Sequence, residues 1–250
     1  MTELYDAIGK TYAEYRRPDP RIDALITAAL GEASSIVNIG AGTGSYEPRG
    51  RNVVAVEPSL TMIAQRPPDA APIVRAFASH LPFRDGQFDT ALALMTVHHW
   101  SDQRTGLREM ARVAKRSVIF TWDNDHLGMW LTRDYFPSIL EDGRAICPPL
   151  NMFRDIFGRV TVMPVPIPHD CSDGFLQAYW RRPHAYLDAG VRSAISAFAK
   201  YPPMDEGLIN LRRDLNDGTW LLRNGHLLSE TELDLGYRLI IADRKETHRA

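Results

Sequence analysis

The chain has 250 residues, with 29 Lys and Arg against 31 Asp and Glu and a formal net charge of −2. Its basic residues are scattered, which denies nucleic-acid binding its electrostatic footprint. No apolar stretch is long enough to cross a bilayer, and the two cysteines, Cys147 and Cys171, fit neither a metal pair nor a disulfide framework.

In chain order, residues 1–22 form an amphipathic opening with Tyr12, Tyr15 and Arg16, closed by Pro18 and Pro20. Residues 21–31 read as a helix ending at Gly31. Ile36-Val37-Asn38-Ile39 is short, β-branched and flanked by a breaker, so a buried strand is expected. The turn Gly40-Ala41-Gly42-Thr43-Gly44 follows. Its glycines permit backbone angles closed to other residues and let a ligand approach the main chain.

Val53 to Val56 reads as the next parallel strand, with Glu57 at its carboxyl end, where open α/β sheets bind ligands. A carboxylate there can accept two hydrogen bonds from the cis hydroxyls of a ribose. A dinucleotide fingerprint, G-x-G-x-x-G, would need a third glycine at position 45, which is Ser.

At this point the chain resembles the class I S-adenosylmethionine-dependent methyltransferases, whose first motif is G-x-G-x-G after a strand. Ala76-Phe77-Ala78-Ser79-His80-Leu81-Pro82-Phe83 resembles that family's third cofactor segment, and Phe88 to Leu94 its fourth strand. Met95-Thr96-Val97-His98-His99-Trp100 is similar to the "LHHW" turn of the small-molecule, type 11 branch. Leu107 to Val113 is like the helix that follows, and Ser117 to Thr121 like the fifth strand. The likeness is specific from about Tyr5 to Asp123. Two departures stand out: Phe77 and Ser79 replace the polar and acidic residues usual there, and Lys115-Arg116-Ser117 replaces a glycine-rich turn.

The resemblance implies a Rossmann-like α/β fold: a seven-stranded sheet, its last strand antiparallel, with helices on both faces. S-adenosylmethionine is the implied cofactor and S-adenosylhomocysteine the product. The residues expected to bind the cofactor are Tyr12, Arg16, Asn38, Gly40, Ala41, Gly42, Thr43, Gly44, Glu57, Pro58, Met62, Phe77, Ala78, Ser79, Met95 and Thr96. In this picture Glu57 holds the ribose, Phe77 and Met62 flank adenine, and the amino-acid tail rests on glycine amides.

Past the fifth strand, residues 124–157 look helical, with breaks at Pro137 and Pro148-Pro149. Val160 to Ile167 reads as a strand made irregular, or placed at an edge, by its prolines. Leu235 to Ala242 reads as the final strand. Between these two strands a hairpin is normal, but about sixty residues intervene, far beyond a usual connection. The expected organisation is a cofactor domain over 1–167 and 227–250, with 1–22 as a lid, and a helical insertion over 168–226. The insertion either caps the substrate pocket or forms a layer for dimer contacts.

A hydroxyl acceptor of a methyl group needs a nearby base, and His is the commonest. His98 and His99 are the catalytic candidates, the other reading being a buried structural pair. Candidate substrate contacts are His99, Trp100, Asp123, His169, Trp180, Arg181, Arg182 and His184. The arginine pair among aromatics would suit an anionic or planar substrate; the competing reading is a surface patch with Trp180 in the core. Asp123 and its neighbour Asp125 could instead cap a helix.

The expected function is methyl transfer to an O or N atom of a small molecule. The alternatives are a cofactor-binding fold relative without methyl transfer, such as a cyclase or binding module, and a nucleic-acid methyltransferase. The start of the chain lacks a signal-peptide pattern. The expected setting is cytoplasmic, with no membrane partner and either a monomer or a homodimer.

Overall fold

The computed structural model describes residues 15–200 and 205–244. The first helix, α1 (Pro20–Leu30), is capped by Asp19, whose side chain accepts from the Arg21 amide, and ends at Gly31 with φ of 55°. The helix expected over 21–31 is therefore present, one residue early. Tyr12 lies outside the described residues.

Seven strands form the main sheet: β1 (Ser35–Ile39), β2 (Asn52–Val56), β3 (Ile73–Val74), β4 (Phe88–Leu94), β5 (Ala114–Trp122), β6 (Thr161–Pro164) and β9 (Tyr237–Asp243). Their order is β3-β2-β1-β4-β5-β9-β6. Strands β1 to β5 pair in parallel, and β9 runs antiparallel to β5 and to β6. The last strand is antiparallel, as the resemblance implies. Pro164, which cannot donate to a ladder, sits in the edge strand β6.

The central strands are buried on both faces, which explains their unbroken apolar runs. The helix α3 (Gln103–Val113) packs beside β4 and β5; a short helix, α2 (Leu60–Ala64), follows β2. One expectation is corrected here. No separate turn precedes the fifth strand, because α3 passes directly into β5 at Ala114. The strand start is pinned by Lys115 to Asp89 (3.0 Å) and Arg116 to Asp243 (2.7 Å).

Beyond β5 come a π-helical turn (Leu131–Tyr135), α4 (Pro137–Ile146) and α5 (Leu150–Phe157), with breaks at the expected prolines. A two-stranded ribbon of β7 (Ile167–Pro168) and β8 (Glu232–Leu233) closes the base of the excursion between β6 and β9. The excursion carries 3₁₀ turns and the short helices α6 (Ala189–Ser193), α7 (Ser196–Lys200), α8 (Asp205–Asn216) and α9 (Thr219–Asn224). Its aromatic residues Trp180, Tyr186 and Trp220 share one continuous core with Phe120, Trp122 and Leu239 of the sheet. Among the described residues no helix is long and apolar enough to cross a membrane.

Candidate functional site

The carboxyl ends of β1, β2 and β4 open into a cavity of about 790 Å³. Gly40 and Gly42 follow β1 with φ of 69° and 52°, angles at which a side chain is strained. A Cβ on Gly40 would run into Oγ1 of Thr96, so the glycine lets the turn after β4 close over the turn after β1.

Glu57 directly follows β2 and carries a buried carboxylate. The Ser59 amide donates to its Oε1 and the Gly42 amide to its Oε2, both at 2.9 Å. Burial raises its pKa above the ordinary carboxylate value, against those two amides and the charge of Arg66. Beneath the turn, Arg66 pairs with Glu47 (2.7 Å), and Glu47 also accepts from Asn38 Nδ2 (3.2 Å).

Several amides of this turn are engaged within the protein. The amides of Gly40 and Ala41 both donate to the Val56 carbonyl (2.8 and 3.0 Å), and that of Gly44 to Ala41 (2.9 Å). With the Gly42 amide on Glu57, these four donors are committed within the protein. Gly44 is also off the cavity wall, facing Arg66 and Glu47.

The other wall comes from the β3–β4 connection and the turn after β4. Phe77 lies 62% exposed at the cavity with Ala78 and Ser79, across from Pro58 and Met62. Met95 has φ of 50°, uncommon for a non-glycine residue and consistent with strain held at a working site. Its amide is held by the Phe120 carbonyl (2.7 Å). Trp100 donates from Nε1 to Thr96 Oγ1 (3.3 Å) and lines the cavity with the two histidines.

The His98 and His99 rings lie 3.9 Å apart at a tilt of 51°. His98 Nδ1 and Ser45 Oγ, both at the cavity wall, are shielded from solvent with no hydrogen-bond partner in the structure. Burial, helped by the charge of Arg16, pushes the His98 pKa down to about 4, against the pull of Asp142. His98 is therefore a neutral imidazole at pH 7.

Arg16 reaches the same wall and pairs with Asp173 (Nε to Oδ1, 2.6 Å). Asp173 also accepts from the Tyr46 hydroxyl (3.1 Å), which in turn accepts from the Asp19 amide (3.0 Å). The sequence reading missed Ser45, Tyr46, Ser59, Asp142 and Asp173 as cavity residues. Ser45 and Tyr46 directly follow the glycine turn and could have been found. Asp142 and Asp173 carry no local signal.

Most of the expected substrate contacts lie elsewhere. Asp123 faces a shallow hollow with Asp125 and Asp234, close to Arg238 (3.5 Å). Trp180 is 0% exposed, donating from Nε1 to the Ile167 carbonyl (3.0 Å). Arg181 bonds the Glu230 carbonyl, while Arg182 bonds the Cys171 and Ala178 carbonyls and stacks on Tyr179. His169 joins the base of the excursion through its amide to Thr231, and His184 is exposed in a 3₁₀ turn. Trp180 lies in the core, and the two arginines tie loops together outside the cavity.

A sheet with this order carries, at the carboxyl edge where open α/β sheets bind ligands, a cavity flanked by a glycine turn and an acid. The sequence family described as "Methyltransferase domain" matches residues 37–121. A solved structure from Anabaena variabilis, described as a methyltransferase from an antibiotic biosynthesis pathway, is 35% identical over 91% of this chain and 98% of its own, with a TM-score of 0.83. A demethylmenaquinone methyltransferase of Corynebacterium kroppenstedtii is 28% identical, over 46% of this chain and 55% of its own. A tRNA (carboxymethyluridine(34)-5-O)-methyltransferase of Schizosaccharomyces pombe is 24% identical, over 48% and 56%. The chain spans about half the length of the curated relatives it matches. It belongs to the class I S-adenosylmethionine-dependent methyltransferases, in the type 11 branch, and its cofactor is S-adenosylmethionine.

Proposed function

We propose that this chain transfers the methyl group of S-adenosylmethionine to an oxygen or nitrogen atom of a small molecule. The observation that carries the reading is one cavity joining the Gly40–Gly42 turn and Glu57 to a space reaching past the β4 turn. A small acceptor fits such a recess, and the net charge of −2 favours it over a polynucleotide.

The residues suit the cofactor. In this reading the buried Glu57 carboxylate, steered by two amides, accepts from the ribose hydroxyls. Met62 and the exposed Phe77 ring flank adenine, and the Ser45 hydroxyl is available to the ligand. When bound, S-adenosylmethionine supplies a methyl carbon on a positively charged sulfur, already activated for in-line displacement. The protein then aligns the acceptor and excludes water. A neutral His98 can take a hydrogen bond from an acceptor hydroxyl. With a pKa of about 4 it is a weak base, so His98 orients and His99, ring against ring, is the candidate to remove the proton.

We further propose that residues 168–226 act as the cap of this pocket, since Asp173, Phe175 and Gln177 reach its wall. The test is incubation with methyl-labelled S-adenosylmethionine and a small-molecule extract. Label moving into an extract compound supports the reading. Label moving into RNA, or remaining on the cofactor, counts against it.

A further inference from the structure

The cavity continues past the cofactor half. Glu57 directly follows β2, whereas Trp122 ends β5, three strands along the sheet, or roughly 14 Å at the usual strand spacing. Tyr237 begins the antiparallel β9 in register with Trp122, so it stands at the same edge one strand further. Phe120, Trp122, Leu140, Phe175, Ile195 and Tyr237 wall this far chamber.

The polar atoms on this wall are mostly spent within the protein. Trp122 Nε1 donates to the Leu235 carbonyl (2.9 Å). The Gln177 amide, with its nitrogen toward Leu235 O (3.0 Å), offers its oxygen to Trp122 Nε1 (3.2 Å). The Thr132 hydroxyl donates to the Met129 carbonyl (3.2 Å) and accepts from the Met129 amide (3.3 Å).

Charge is equally telling. The cation on the cavity wall among the described residues is Arg16, already paired with the buried Asp173. Asp142 adds a carboxylate on the far side, which repels an anionic acceptor. Asp142 apart, what remains for a ligand is mostly aromatic and aliphatic surface, with the histidine pair and its unpartnered His98 Nδ1 between the two halves. Ring-bearing ligands gain area and ring-to-ring contact on such walls.

Building on the methyltransferase reading of the cavity, we propose that the chamber over β5 and β9 receives an uncharged, ring-bearing apolar acceptor whose hydroxyl faces His98. The arginine pair that would suit an anionic or planar substrate lies outside the cavity, so it selects no anion there.

The test is calorimetry of the S-adenosylhomocysteine-loaded protein with 4-alkylphenols, from 4-ethylphenol to 4-pentylphenol. Affinity should tighten by about fourfold per methylene, and 4-hydroxybenzoate should bind more weakly than any of them. Leu140→Asn and Ile195→Thr should each flatten that gain, with S-adenosylhomocysteine affinity unchanged, which also reports that the variants fold. A flat series in the native protein, tighter binding of the benzoate, or an undiminished gain in both variants would overturn the chamber while leaving the methyltransferase reading intact. Failure of the native protein to bind S-adenosylhomocysteine at all would instead sink the underlying reading.

Discussion

Arg16 and Asp173, 157 positions apart, meet in an ion pair 2.6 Å long on the cavity wall, and Asp173 is 1% exposed. The pair ties the segment before α1 to the excursion between β6 and β9. Removing one partner of a buried pair strands a charge, which costs about 3–5 kcal/mol. Arg16→Met should lose stability of that order in urea denaturation. Arg16→Met with Asp173→Leu should lose less, because no carboxylate is left stranded. Equal losses would show that the pair is not the source of the effect.

Trp180 separates a core role from a substrate role. It is fully buried, donates to Ile167, and its carbonyl accepts from Trp130 Nε1 (2.8 Å). Trp180→Ala should cost about 3–5 kcal/mol by cavity formation. Trp180→Phe should be milder and leave the acceptor KM unchanged. A raised KM at full stability would return Trp180 to the pocket.

His98 should leave a mark on the pH dependence of stability. Its pKa is about 4 in the folded protein, below the ordinary value of 6.5. Between those values the unfolded chain binds a proton that the folded protein does not, so stability falls as pH drops through this window. At pH 4.5 the penalty relative to pH 7 should be about 2 kcal/mol. Comparing native protein with His98→Gln at both pH values isolates it. The variant should lose less on acidification, and an identical loss would show that His98 is not the group responsible.

Two glycines separate strain from collision. Gly40 (φ 69°) faces Thr96, whereas Gly50 (φ 74°) has open space beside it. Gly50→Ala should cost only the left-handed penalty of about 1–2 kcal/mol. Gly40→Ala should cost more and also weaken cofactor binding. Matching losses in denaturant would mean that Thr96 gives way freely.

How much was legible in the sequence follows from how each feature is encoded. The strand from Ile36 and the glycine turn form one contiguous run whose residue types answer to local backbone geometry, so they could be read directly. Glu57 and the run from Phe77 to Ser79 were legible through the family resemblance. The His98-His99-Trp100 turn was readable for the same reason. Asp142, Asp173 and Ile195 reach the cavity only through tertiary packing, which no local pattern records. Arg181, Arg182 and His184 misled because aromatic residues interleaved with arginines look alike in a core and in a pocket. Trp180 belongs to the core because its indole finds the Ile167 carbonyl, a partner set by the ribbon of β7 with β8. That the Gly40 and Ala41 amides donate to the Val56 carbonyl of a neighbouring strand was not legible, because that partner is visible only once the sheet is assembled.

The most direct measurement is calorimetric titration of S-adenosylhomocysteine into the native protein, Glu57→Ala and His99→Ala, with thermal unfolding of each as a check on folding. The account predicts binding by the native protein, at least tenfold weaker binding by Glu57→Ala through loss of a charged hydrogen-bond acceptor, and near-native binding by His99→Ala. Native affinity in a folded Glu57→Ala variant would contradict it.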